Sequence, residues 1–140
     1  MVEEIMTFED LESWRQARQM TRQIYTLTRN DALVRDFGLC SQTQRAGVSI
    51  MSNIAEGFER QHLQEKLQFY NIAHGSNGEV RSLTYVIEDN FPQLAAEAIQ
   101  LREKSVQTGK LVTGLVRSTE SRKAKLAGLL SSIFHLLSPI

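Results

Sequence analysis

Proline stands at only two positions in this chain of 140 residues, Pro92 and Pro139, and the second is one residue from the end. Proline breaks helices because it lacks the amide donor and clashes with the preceding turn, so its scarcity leaves room for long uninterrupted helices. No strict alternation of apolar and polar residues lasts long enough to argue for a strand. The apolar residues recur instead at steps of three and four. A first helix is predicted from about Phe8 to Arg29, with Leu11, Trp14, Ala17, Thr21, Ile24 and Thr28 on its inner face, and Thr7 with Asp10 resembles a capping box at its start. Asn30 and Asp31 break the pattern and can cap a second helix, about Ala32 to Glu59, with Leu39, Ala46, Ile50, Ile54 and Phe58 inward. A third, about Leu63 to Asp89, turns Phe69, Ile72, Ala73, Val80, Leu83 and Ile87 inward. Pro92 suits the first turn of a fourth, running to about Ser118 with Leu94, Ala98, Leu101, Leu111 and Leu115 buried.

The joins are short, so consecutive helices should be antiparallel neighbours. The expected architecture is all-α: an antiparallel up-down four-helix bundle over residues 1–118, with an additional C-terminal amphipathic helix in a helical extension, 119–140. In that extension Leu126, Leu129, Leu130, Ile133, Phe134 and Leu137 follow the basic run Arg122-Lys123-Ala124-Lys125. Gly128 inside it costs about 1 kcal/mol relative to Ala. The apolar face requires a cover, on the bundle or on a neighbouring subunit; a membrane-surface helix and disorder are the rival readings.

A chain of this length can bury roughly 70% of its unfolded surface around one core. Sixteen basic residues balance sixteen acidic ones. A protein built only to coat nucleic acid usually carries a clear basic excess, because phosphate neutralisation supplies most of that affinity, although a local patch remains open. Cys40 is the only cysteine, which excludes an internal disulfide and a multi-cysteine metal site; it reads as a packing residue. Glu3 and Glu4 near the start, with no long apolar run, do not resemble a secretory signal, and no stretch reaches the ~18 apolar residues of a spanning helix. The expected location is the cytoplasm, away from membranes.

The second predicted helix carries a polar stripe: Gln42, Arg45, Ser49, Asn53, Glu56 and Arg60, at steps of three or four. Such spacing lines one continuous helix face, and Glu56 with Arg60 has the orientation of an i,i+4 ion pair. Ordinary solvated faces carry long charged residues in loose mixture. Ser, Asn and Gln at regular intervals beside Gly and Ala point instead to a buried or inter-subunit hydrogen-bond network, with a solvated face and a ligand site as the alternatives. Glu79 on the third helix is a candidate partner for Arg45 or Arg60. Gly47 and Gly57 in the second helix, and Gly75 and Gly78 in the third, each cost about 1 kcal/mol against Ala, so close approach of another backbone is expected to offset them. Gly57 could equally mark a helix end or kink. On the first helix, Arg15, Arg18, Arg22 and Arg29 share one side with no acid between the first and last. This is a solvated face or, repeated around an oligomer, a multivalent surface for phosphates.

Helix bundles can house di-iron sites, which need two Glu-x-x-His pairs and two further Glu residues. Glu59-x-x-His62 is the only such pair, since His74 and His135 are preceded three residues earlier by Asn71 and Ser132. No phosphate-binding loop or dinucleotide turn occurs. No catalytic residues, metal, cofactor or small-molecule substrate are expected.

The run from Arg45 through Ala46, Gly47, Ser49, Asn53, Ile54, Ala55, Glu56, Gly57 and Phe58 to Arg60 closely resembles the hallmark of the four helix bundle family, also called 23S ribosomal RNA intervening-sequence proteins. Phe8-Glu9-Asp10-Leu11 with Trp14 resembles the family's opening, Gly38-Leu39 and Gln42 its lead into the second helix, and Ala73, Gly75-Ser76 and Glu79 its third-helix signature. The resemblance implies antiparallel four-helix bundles that assemble into five-fold rings. One related branch, the accessory variability determinant proteins of diversity-generating retroelements, is strongly basic and binds nucleic acid with a reverse transcriptase; the zero net charge here differs from that branch. The resulting expectation is a non-enzymatic homo-oligomeric scaffold, a pentameric ring on the resemblance. The alternative is an accessory protein that binds RNA or DNA weakly through Arg15, Arg18, Arg22 and Arg29.

Overall fold

The computed structural model describes residues 4–139, and they form four helices: α1, Glu12–Leu27; α2, Phe37–Glu59; α3, Leu63–Asn90; and α4, Ala95–Leu137. α1 packs on α2 and α4, and α3 packs on α2 and α4, with the α2–α3 and α3–α4 seams the most extensive. Joined by short connections, the helices run up and down around a single core. Met20, Ile24, Ile50, Ile54, Val80, Ile87, Leu101 and Val112 are fully enclosed there.

Side-chain chemistry at the helix ends accounts for most of the boundaries. The chain enters α1 through a short 3-10 turn, Phe8–Asp10, in which the Asp10 carboxylate accepts from the amides of Met6 and Thr7. Those amide bonds, more than nearby Arg15, hold the Asp10 carboxyl below its ordinary value. α2 begins at Phe37, five residues later than the apolar spacing predicts. Asn30 Oδ1 accepts from the amides of Ala32 and Leu33 and so caps only a 3-10 turn, Leu33–Arg35. Asp36 is the true cap of α2, accepting from the Leu39 amide at 3.0 Å. At the other end, Lys66 Nζ reaches back from α3 to the carbonyls of Gly57 and Phe58, satisfying acceptors that the helix end leaves free. Pro92 opens a 3-10 turn, Pro92–Leu94, directly before α4.

The inner faces follow the predicted seams with shifts of one residue. On α3, Tyr70, which the predicted seam omits, is buried, whereas Ile72, expected inward, is half exposed and Phe69 is only partly buried. On α4, Val112 takes the core position expected of Leu111, which with Leu115 is partly buried. The most consequential correction concerns the tail. Among the described residues no separate fifth helix forms: α4 runs 43 residues without a break, because nothing between Ser118 and Lys125 is a helix breaker and Gly128 alone does not end it. Nor does the bundle cover the tail. Leu126, Leu129, Leu130, Ile133, Phe134, Leu136 and Leu137 all lie exposed on the single chain. Among the described residues, no helix is long and apolar enough to cross a membrane.

Candidate functional site

The polar stripe of α2 divides by depth. Its middle is half buried against α3: the hydroxyls of Ser49 and Ser76 share a hydrogen bond of 2.8 Å, and Asn53 Nδ2 donates to the Ser49 carbonyl at 2.7 Å and to Ser49 Oγ at 3.0 Å. Its ends, Gln42, Arg45, Glu56 and Arg60, are exposed. Gln42 Nε2 donates to Glu79 Oε1 at 3.2 Å, so Glu79 is engaged by Gln42 rather than by Arg45 or Arg60. Arg60 lies over the Phe69 ring, 4.7 Å from its centre, and the expected Glu56–Arg60 ion pair does not form. The stripe is thus a polar clasp between two helices, with exposed charged ends.

The glycines separate into two groups. A Cβ on Gly47 would lie 2.7 Å from Ile24 Cδ1, and Thr21 Oγ1 donates to the Gly47 carbonyl at 3.1 Å, so this glycine lets α1 and α2 approach. A Cβ on Gly57 would meet the Tyr70 ring, which places that glycine at an α2–α3 contact in the last turn of α2. Gly75 and Gly78 behave differently: nothing in the subunit lies within 4 Å of their Cβ positions, and the same holds for Gly114 on α4. The close approach expected for Gly75 and Gly78 does not occur within one subunit.

Those three glycines line a groove of about 610 Å³ between α3 and α4, rimmed by His74, Arg81, Lys110 and Arg117. Among the described residues, none of these side chains has an ion-pair partner. The groove floor rests on a buried pair that the seam analysis misses. Asn77 Nδ2 donates to the Ser105 carbonyl at 2.9 Å, and Ser105 Oγ donates to the Asn77 carbonyl and to Asn77 Oδ1 at 3.2 and 3.1 Å. Gly109 makes room for it, since a Cβ there would stand 3.0 Å from Asn77 Nδ2. The available signal is spacing: Tyr70, Ala73, Asn77, Val80, Thr84 and Ile87 step by three and four along one face, and all are buried. A second α3–α4 link, also unanticipated, is Arg102, which pairs with Glu88, donates to Thr84 Oγ1 at 3.0 Å and stacks on Tyr85.

Arg15, Arg18 and Arg22 on α1 are exposed, and helical geometry keeps them within roughly 60° of one another around the axis; Arg29 is exposed too but lies in the turn that follows Leu27. They are not equally free. Arg15 lies near Asp10 and Glu12 and donates to the Glu9 carbonyl, Arg18 sits over Trp14, and Arg29 contacts Thr26. Cys40 is enclosed, its thiol donating to the Leu33 carbonyl at 3.2 Å, and burial, with the Asp36 carboxylate adding to it, pushes its pKa up. That is a packing environment, as its solitary position suggests.

The family model described as 23S rRNA-intervening sequence protein matches residues 9–114. The chain belongs to this family. Comparison with curated proteins finds no match. The span shared with the intervening-sequence proteins takes in the α2 clasp, the α1 arginines and the groove residues up to Gly114. It stops inside α4, leaving the exposed apolar tail outside.

Proposed function

We propose that this intervening-sequence family protein is a non-enzymatic homo-oligomeric scaffold whose copies join head to tail. The observation that carries the reading is the open groove between α3 and α4. Gly75, Gly78 and Gly114 each weaken their helix by about 1 kcal/mol relative to Ala without serving any contact in the subunit. Close seating of a helix from a second copy would offset that cost. The outward face of α2 is the matching surface: Ser41, Ser52 and Ala55 carry no bulk there, and Glu56 and Glu59 supply the carboxylates that Arg81, Lys110 and Arg117 lack. Two different surfaces meeting in this way make a heterologous contact, which closes into a ring when the rotation permits. The family resemblance supplies the number five. Location in the cytoplasm is part of the same proposal.

Light scattering behind size exclusion tests the assembly, with a single mass above that of one chain as the expected result. A monomer at tens of micromolar overturns the scaffold. Gly78→Leu places a side chain in the groove, where nothing in its own subunit lies within 4 Å of the new Cβ; it should keep the helical circular dichroism and lose association. Association unchanged by that substitution would remove the groove from the interface.

The second reading, a weak nucleic-acid accessory role, is supported by the exposed arginine strip of α1. A ring would repeat the strip once per copy and multiply modest phosphate contacts. Binding should be independent of sequence and decline steeply with salt.

A further inference from the structure

We infer that the protruding end of α4 is a second association element, a parallel cluster of helices formed with the tails of other copies of this chain. The α3–α4 register defines where the protrusion begins. Arg102 lies beside Thr84, Ser105 beside Asn77, and Lys123 beside Gln64, at the first turn of α3. α4 continues past that point through Leu137, so its last three turns extend roughly 18 Å with no helix opposite them. Because α4 is unbroken, this end cannot fold back onto its own bundle.

The side-chain pattern identifies the occupant. Taking Leu126 as position a of a heptad, every a, d and e position through two repeats is Leu or Ile: Leu126, Leu129, Leu130, Ile133, Leu136 and Leu137. Their exposures in the single chain run from 44% to 85%. A two-stranded coiled coil needs only the narrow a/d seam, whereas a face broadened by e takes neighbours on two sides, as in clusters of three or more helices. Exposed surface at these six residues amounts to roughly 650 Å² per copy, approaching one partner's share of a standard specific interface and above the usual largest patch on a monomer. A membrane surface is the weaker match. Membrane-surface helices carry Lys and Arg along the polar face, but no Asp, Glu, Lys or Arg follows Lys125, and the opposite face holds Ser131, Ser132 and His135.

Two heptads are too few to associate strongly alone. The inference therefore rests on the scaffold reading: a ring holds the tails at high effective concentration, pointing the same way, and the tails in turn stabilise the ring.

The test uses the full chain, with Leu129→Glu/Leu136→Glu compared with wild type by sedimentation across concentration. These positions are exposed in the monomer, so helicity should be unchanged, and dissociation should shift to higher concentration by about tenfold or more. Leu136→Cys treated with a short bis-maleimide should give crosslinked dimers, and His135→Cys, on the opposite face, should not; buried Cys40 is common to both. Unchanged dissociation in the double variant, or equal yields of crosslinked dimer at the two positions, overturns the tail cluster and leaves the ring standing. A double variant that is fully monomeric, with Gly78→Leu still assembled, overturns the groove-built ring and keeps the tail cluster. Wild type that stays monomeric and floats with phosphatidylglycerol vesicles overturns both, assigning the face to lipid.

Discussion

Gly57 and Tyr70 are so close that a Cβ on Gly57 would lie 2.6 Å from Tyr70 Cε1. Phe69 Cβ would stand 3.0 Å away on the same side, and Tyr70 is only 1% exposed, so neither neighbour can yield without disturbing the core. Gly57→Ala gains about 1 kcal/mol of helix propensity but incurs overpacking of typically 1–3 kcal/mol, for a net destabilisation of up to about 2 kcal/mol. Gly75→Ala meets open space and keeps only the gain, so the bundle should be stabilised by up to about 1 kcal/mol. Urea unfolding of the two variants should move the midpoint in opposite directions. Matching shifts would mean that neighbouring atoms do not set the cost at Gly57.

Asn77 and Ser105 form a hydrogen-bonded buried pair that locks α3 to α4 from within the core. Truncating either partner leaves buried polar groups short of bonds, at about 1–3 kcal/mol each. Asn77→Ala should cost about 1–2 kcal/mol, and Ser105→Ala in that background should cost less than it does alone. Strictly additive losses in the double-mutant cycle would show that the two side chains act independently.

The legible and illegible parts of this fold differ for physical reasons. The order of the four bundle helices follows from proline scarcity and the three-four repeat, which need no tertiary information, whereas the separate helix expected after Ser118 is the continuation of α4. Inner faces slipped where adjacent apolar residues compete for one position, as with Phe69 against Tyr70 and Leu111 against Val112. The choice between such neighbours depends on crossing geometry, which periodicity does not carry. The start of α2 was misplaced because Asn30 and Asp36 both offer a cap, and only the 3-10 turn between them distinguishes their roles. The Ser49–Asn53–Ser76 clasp was half legible: α2 spacing announces Ser49 and Asn53, but their partner is on another helix. Gly47 and Gly75 look alike in sequence, and only coordinates separate a glycine that faces Ile24 from one that faces open space.

The α1 arginines should not contribute equally to any phosphate binding. Arg15 already has Asp10 and Glu12 near its guanidinium, whereas Arg18 and Arg22 have no acidic partner among the described residues. Charge reversal at Arg18 or Arg22 should therefore weaken binding of labelled RNA or DNA more than reversal at Arg15. The combined Arg15→Glu/Arg18→Glu/Arg22→Glu variant should abolish binding at low salt, and each lost contact should reduce the salt slope by about 1. Undiminished binding by the triple variant would transfer the role to another surface.

Cys40 gives the stability a pH dependence of known sign. Its thiol pKa is raised above 9.0 by burial first and by the Asp36 carboxylate second. The folded chain thus keeps a proton that the unfolded chain releases near pH 9.0. Its contribution is fully present below that pH and is lost as pH climbs through the folded thiol's pKa. Tyr70, raised by burial from 10.0, acts in the same sense at higher pH, and Lys66, lowered by burial from 10.5, acts in the opposite sense. Comparing wild type with Cys40→Ala isolates the thiol from both. Cys40→Ala should be less stable at about pH 7.5, and the gap between the two urea midpoints should narrow by about pH 10 as the wild-type thiol ionises. A gap that stays constant over that range would mean that the thiol titrates alike in the folded and unfolded chains, which an enclosed group facing the Leu33 carbonyl should not do.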